Sequence, residues 1–84
     1  MEDKKLIYIV DDDKDICMML KTILQTQGGF EVEEFYSGQS VIDAIKDQAP
    51  DVLLLDIMMP EMNGYEVIAQ LKGQQESQEI PIIL

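Results

Sequence analysis

The chain has 84 residues, 46% of them hydrophobic, with 17 acidic against 6 basic side chains and a formal charge of −11. That length holds one small domain with a modest core, and the charge disfavours nucleic acid or an anionic membrane surface as a direct partner. It suits a cation or a basic protein better. A single cysteine, Cys17, permits no internal disulfide, and no secretory leader pattern opens the chain. No apolar run approaches the roughly 20 residues that span a bilayer, so a reduced, cytoplasmic setting is expected.

Residues 1–5 read as a short charged, frayed tail. Leu6, Ile7, Tyr8, Ile9 and Val10 follow as an unbroken apolar run that stops at Asp11, Asp12 and Asp13. Such a run predicts a strand buried on both faces and ending in acids. Over 14–27 the pattern turns helical, with Ile16, Leu20, Ile23, Leu24 and Gln27 at spacings of three and four. Asp13 is placed to cap that helix, and Gly28 and Gly29 to stop it. Residues 30–36 alternate as a shorter, half-exposed edge strand, with Glu31, Glu33 and Glu34 as a solvated rim that discourages pairing. Ser37 and Gly38 open a second helix whose apolar stripe is Val41, Ile42 and Ile45, with Ala44 filling in. Pro50 ends it, because the residue before proline avoids the helical region.

Val52, Leu53, Leu54 and Leu55 form the next apolar run, closed by Asp56 and then by a turn containing Pro60, Asn63 and Gly64. Charge is not tolerated inside a strand covered on both faces, so Asp56 is predicted at its carboxyl end, where an open α/β sheet binds its ligand. A third helix starts at Asn63 or Gly64 and turns Val67, Ile68 and Leu71 inward. Residues 73–79 read as a polar loop, and 80–84 as the start of a fourth strand. The order β-α-β-α-β-α-β predicts a parallel, doubly wound α/β sheet with helices on both faces. It is read as one domain over residues 1–84.

The strand carboxyl ends of a parallel sheet share one edge. Asp11 and Asp12 therefore approach Asp56 if the first and third strands are neighbours. Three carboxylates so close repel, and their pKa values rise unless a cation intervenes. A small set of hard oxygen ligands favours Mg²⁺, which prefers near-octahedral geometry at about 2.0–2.1 Å. Asp56 is then the candidate nucleophile, as carboxylates are in aspartyl-phosphate formation.

The apolar strand ending in Asp11 and Asp12, Asp56 closing the third strand 44 residues after Asp12, and the Met59-Pro60 and Asn63-Gly64 pairs together resemble the receiver domain of bacterial two-component response regulators. The resemblance runs along the whole chain. It implies a flavodoxin-like fold with strand order beginning 2-1-3-4 and Mg²⁺-dependent phosphotransfer from a histidine kinase or phosphotransfer protein to Asp56. This is self-phosphorylation rather than turnover of a substrate. It implies metal ligation by the side chains of Asp12 and Asp56 and the backbone carbonyl of Met58, with Asp11 acting through a bound water. Partner contacts are expected from Asp15, Met19, Thr22 and Ile23 on the first helix and from Met59 and Pro60. Receiver domains have five strands and five helices, so a truncated portion is expected, ending in strand four and lacking helix four, strand five with its lysine, and helix five. Output switching is then lost, and the exposed sheet face or edge is expected to drive self-association.

Other readings attach to the same residues. Asp11, Asp12 and Asp13 alone could be a capping run. Asp11 and Asp13 after an apolar strand are also similar to haloacid-dehalogenase-type phosphohydrolases, with Asp11 as nucleophile. Asp15 stands where that family needs threonine, and the stretch from Asp56 to Gly64 is left unexplained. A non-signalling, self-associating fragment is the third reading. The methionines at 18, 19, 58, 59 and 62 read as packing and loop residues, and Cys17 as a helix-surface or half-buried residue without a role.

Overall fold

A computed structural model of the chain describes residues 4–73 and 80–84. The first three tail residues and most of the expected polar loop, 74–79, lie outside the described residues. Four strands and three helices alternate in the predicted order: β1 (Leu6–Val10), α1 (Lys14–Gln27), β2 (Glu31–Phe35), α2 (Gly38–Asp47), β3 (Val52–Leu55), α3 (Gly64–Lys72) and β4 (Ile82–Ile83). The strands form one parallel sheet in the order β2-β1-β3-β4.

β1 pairs with β2 on one side and β3 on the other, and all five of its apolar residues are buried. Leu6, Tyr8 and Val10 point to one face, where they join Leu53 and Leu55 of β3 beneath Val41, Ile42 and Ile45 of α2 and Val67 and Leu71 of α3. Ile7 and Ile9 point to the other, with Val32 of β2 and Cys17 of α1. Each large apolar side chain so buried stabilises the fold by about 1.5–3 kcal/mol. The Tyr8 ring packs 4.8 Å from that of Phe35, centroid to centroid, and its hydroxyl donates to the Gln48 carbonyl at 2.8 Å.

Helix ends follow local chemistry. The Asp13 carboxylate accepts from the N–H groups of Asp15 and Ile16, Ser37 caps α2, and Asn63 with Glu66 forms a reciprocal capping box on α3.

The structure corrects three expectations. α1 is rotated relative to the predicted stripe: Cys17 is 0% exposed, with Leu20 and Leu24 beside it, whereas Ile16 and Ile23 face solvent at 39% and 44%. The thiol is therefore a core group, not a surface one. β3 is covered fully on one face only, since Val52 and Leu54 are half-buried while Leu53 and Leu55 are buried. α1 lies over β1 and β2 on that side and leaves β3 partly open. The ordered fourth strand is also shorter than residues 80–84, with pairing limited to Ile82 and Ile83 against β3.

Candidate functional site: an acidic pocket at the sheet edge

The parallel register that pairs Val10 with Leu55 carries the next residue of each strand to the same edge. The ladder continues one step past both strands. The Asp11 N–H donates to the Phe35 carbonyl at 3.0 Å, and the Asp56 N–H to the Val10 carbonyl at 2.9 Å. Backbone hydrogen bonds thus hold Asp11 and Asp56 side by side, at the end of the sheet where open α/β folds bind ligands. Asp12 turns toward the same space. One carboxylate oxygen from each of Asp11, Asp12 and Asp56 lies within 4.8 Å of the others, with Asp12 exposed and the other two half-buried.

Each buried-side carboxylate is oriented by its own turn. Asp11 accepts from the Asp13 N–H at 2.9 Å, and Asp56 from the Met58 N–H at 3.2 Å. Burial pushes the Asp11 carboxyl above the ordinary carboxylate range, the charges of Asp56, Asp12 and Asp13 push it further, and the Asp13 N–H opposes them. Among the described residues no lysine forms an ion pair with these acids; the salt bridge is Lys21 to Glu34 at 3.7 Å. Three hard oxygen donors, none of them ion-paired with a lysine among the described residues, fit a small divalent ion such as Mg²⁺.

The loop after β3 closes tightly on the site. The Met62 N–H reaches back to the Pro60 carbonyl at 2.7 Å around Glu61, whose φ of 67° is the rarer, strained sense for a γ-turn. The Gly64 N–H donates to the Ile57 carbonyl at 2.9 Å. A Cβ at Gly64 would stand 2.8 Å from the Asp56 carbonyl oxygen and from the Ile57 Cα, so only glycine lets α3 begin against the strand end that carries Asp56.

Two residues at this end of the sheet were missed by sequence reasoning. The Cys17 thiol donates to the Asp11 carbonyl at 3.4 Å from beneath, and burial, with the charges of Asp11 and Glu34, pushes its pKa up to about 11. Its spacing of three and seven to Leu20 and Leu24 is helical, but Ile16 and Ile23 offer an equally helical stripe, so periodicity alone does not select it. Lys14, the first residue of α1, holds its ammonium 5.2 Å from the centroid of the Tyr36 ring, a contact between segments that no local pattern announces.

Comparison with known proteins decides the family. The model of the response regulator receiver domain matches residues 7–84. The chain belongs to the response regulator receiver family. It is 39% identical over 66 residues to the regulatory protein VanRc of Enterococcus gallinarum, covering 79% of this chain and 28% of that protein. It is 40% identical over 79 residues to the DNA-binding transcriptional regulator NtrC of Klebsiella pneumoniae, covering 94% of this chain and 16% of that protein. The chain thus spans less than a third of either regulator. Its fold superposes with a TM-score of 0.88 on the N-terminal domain of a response regulator receiver protein from Methanoculleus marisnigri, at 33% identity over 93% of this chain and 63% of that one. The chemotaxis protein CheY4 of Vibrio cholerae gives 0.89 at 29% identity, over 95% and 66%.

As a receiver domain in the flavodoxin-like class, the chain belongs to a family that binds Mg²⁺ at an acidic pocket and works with histidine kinases or phosphotransfer proteins. This membership overturns the haloacid-dehalogenase-like alternative with Asp11 as nucleophile. Of the expected partner residues, Asp15, Met19, Thr22 and Ile23 lie exposed on α1, and Pro60 is exposed. Met59 is 8% exposed and packs into the core with α2 and α3, so its side chain is withdrawn from any docking face, whereas Met58 is 82% exposed. Among the described residues, no helix is long and apolar enough to cross a membrane.

Proposed function

We propose that Asp56 is the phosphoacceptor of this receiver and that its chemistry depends on Mg²⁺ held by Asp11, Asp12 and Asp56, with the Met58 backbone carbonyl as a further ligand. The observation that carries this is the convergence of three carboxylates within 4.8 Å at the carboxyl edge of β1 and β3. Bound there, the metal supplies charge neutralisation, so that an anionic phosphoryl group can approach an anionic nucleophile.

The residues divide the remaining work. A carboxylate oxygen of Asp56 forms the new bond to phosphorus as the bond to the leaving group breaks, and the leaving group departs with that electron pair. The Met58 N–H holds the carboxylate in one orientation, and the ladder bond to Val10 fixes its backbone. Met58 itself, exposed two residues after the acceptor, shadows the approach of water to the acyl phosphate. The exposed face of α1, with Asp15, Met19, Thr22 and Ile23, and the neighbouring Pro60 form the docking surface for a histidine kinase or phosphotransfer protein, acting in the cytoplasm.

The test is mass spectrometry of the chain incubated with acetyl phosphate. A gain of one phosphoryl group is expected only with Mg²⁺ and only while Asp56 is intact. Phosphorylation that survives Asp56→Asn removes the assignment.

A second reading concerns assembly. A mainly apolar groove between α1 and β4, lined by Ile7, Leu24, Phe30, Val52, Leu54 and Ile83 with Lys5 and Asp51 also on its wall, runs along the partly open face of β3. Beside it, Ile83 of β4 and the following Leu84 are exposed. That combination favours self-association of the chain through the sheet face or edge.

A further inference from the structure

The six lysines, the only basic side chains in the sequence, are distributed unevenly about the sheet. In a parallel βα fold every helix begins at the carboxyl edge and ends at the amino edge. Lys4 and Lys5 precede β1, Lys46 and Lys72 lie in the last turns of α2 and α3, and Lys21 is in mid-helix, paired with Glu34. Lys14 alone starts a helix, and so stands at the edge that carries Asp11, Asp12 and Asp56.

Its position runs against local electrostatics. A cation in the first turn opposes the helix dipole, and acids there are the favourable choice. Three aspartates immediately precede Lys14, yet its ammonium pairs with none of them and rests over the Tyr36 ring. Tyr36 is itself tied to the pocket, because it follows Phe35, whose carbonyl accepts the Asp11 N–H. A cation held by a ring face keeps its N–H donors free, whereas one held by a carboxylate does not. It also leaves the three carboxylates free for a metal.

We propose that Lys14, seated on Tyr36, is a specificity-determining residue that recognises the phosphoryl dianion of the incoming donor at the sheet edge that carries the acidic pocket. The proposal rests on Asp56 being the phosphoacceptor. An ammonium at the same edge of the sheet as the acids offsets their field on an approaching anion and offers hydrogen bonds to its oxygens. The chemistry recognised is the phosphoryl group itself, whether on a small acyl phosphate or phosphoramidate or on a phosphohistidine side chain.

The experiment measures the Mg²⁺-dependent rate of Asp56 phosphorylation in the full chain against the concentration of acetyl phosphate, and separately of phosphoramidate. It compares the unmodified chain with Lys14→Gln, Lys14→Arg, Tyr36→Phe and Tyr36→Leu. At low ionic strength Lys14→Gln should lower the rate with both donors by roughly 3- to 10-fold, and added salt should narrow the gap. Lys14→Arg and Tyr36→Phe, which keep the cation and the ring, should stay near the unmodified rate, and Tyr36→Leu should fall between. Thermal melting and Mg²⁺ affinity of Lys14→Gln should be undiminished, which separates lost recognition from a damaged fold. Equal rates for Lys14→Gln and the unmodified chain, or equal losses in Lys14→Gln and Lys14→Arg, overturn the role of Lys14 and leave Asp56 as acceptor standing. No phosphorylation of the unmodified chain overturns both.

Discussion

Asp12 is the exposed member of the carboxylate trio, and its replacement tests the metal site with little risk to the core. Millimolar-range Mg²⁺ should raise the melting temperature of the chain, both by binding and by relieving repulsion. At a free concentration 100 times Kd, linkage alone gives about 2.7 kcal/mol. The increment should shrink sharply in Asp12→Asn; an equal increment there, seen by calorimetry, would mean the ion binds elsewhere. Met58 gives a kinetic prediction. Met58→Asn replaces an apolar shield with a group that can hydrogen-bond water, so the phosphoryl group should be lost several-fold faster. Equal half-lives would remove that role. Tyr8 gives the pH dependence. Burial chiefly, then the charges of Glu33 and Asp47, raise its pKa above the ordinary 10.0. The folded state therefore keeps the phenol proton that the unfolded chain releases. The stability this lends is fully present below about pH 10 and is lost as pH rises through the raised folded value. Tyr8→Phe should cost about 1 kcal/mol at neutral pH through the lost bond to Gln48, and it should flatten the alkaline limb of denaturant-midpoint curves.

At the scale of elements, the junction between β3 and α3 carries the proposed acceptor, and α1 carries the proposed docking face. The approach of α3 to the strand end depends on Gly64. Gly64→Ala drives a Cβ into backbone that cannot step aside, so a loss of about 1–3 kcal/mol is expected, together with slower phosphorylation as Asp56 shifts. Asn63→Ala breaks the capping box and should cost about 0.5–2 kcal/mol while leaving the strand end in place. Stability and phosphorylation rate should therefore part company between these two variants. For α1, charge reversal at Asp15 should slow transfer from a cognate kinase while sparing transfer from acetyl phosphate. A matching loss with the small donor would trace the defect to the pocket, since the Asp15 N–H is one of those that Asp13 caps.

At the scale of the molecule, the two faces of the sheet are unequally covered. α2 and α3 bury Leu53 and Leu55, and on the opposite face α1 covers β1 but leaves Val52 and Leu54 half-exposed. Two half-covered side chains forgo part of the 1.5–3 kcal/mol that full burial of each contributes, roughly. That is a sizeable share of a small domain's stability of about 5–15 kcal/mol. Pairing of two copies along this face or along β4 would recover it. Light scattering should show the mean mass rising with concentration over the micromolar range, and Ile83→Lys should suppress the rise. A constant monomer mass in both would end the self-association reading.

How much of this was legible beforehand depends on the distance over which each feature is decided. Strand positions, helix ends and the placing of Asp56 just past β3 follow from neighbours in sequence. Short unbroken apolar runs bounded by turn residues favour strands, and Asp13, Ser37 and Asn63 satisfy N–H groups two or three residues away. The alternation of elements then leaves little choice of architecture. The facing of α1 was not legible, because Ile16, Cys17, Met18, Met19, Leu20, Ile23 and Leu24 cover most of the helix circumference. Contact with β1 and β2, rather than periodicity, selects Cys17 for the core and leaves Ile16 and Ile23 outside. Nor could local pattern separate Met59, which returns to the core, from Met58 beside it. The acidic pocket itself divides the same way. The acids are local facts of two strand ends, and their approach to within 4.8 Å is a fact of the Val10 to Leu55 register. Only the assembled sheet, by hydrogen bonds between residues 46 positions apart, turns those acids into a site.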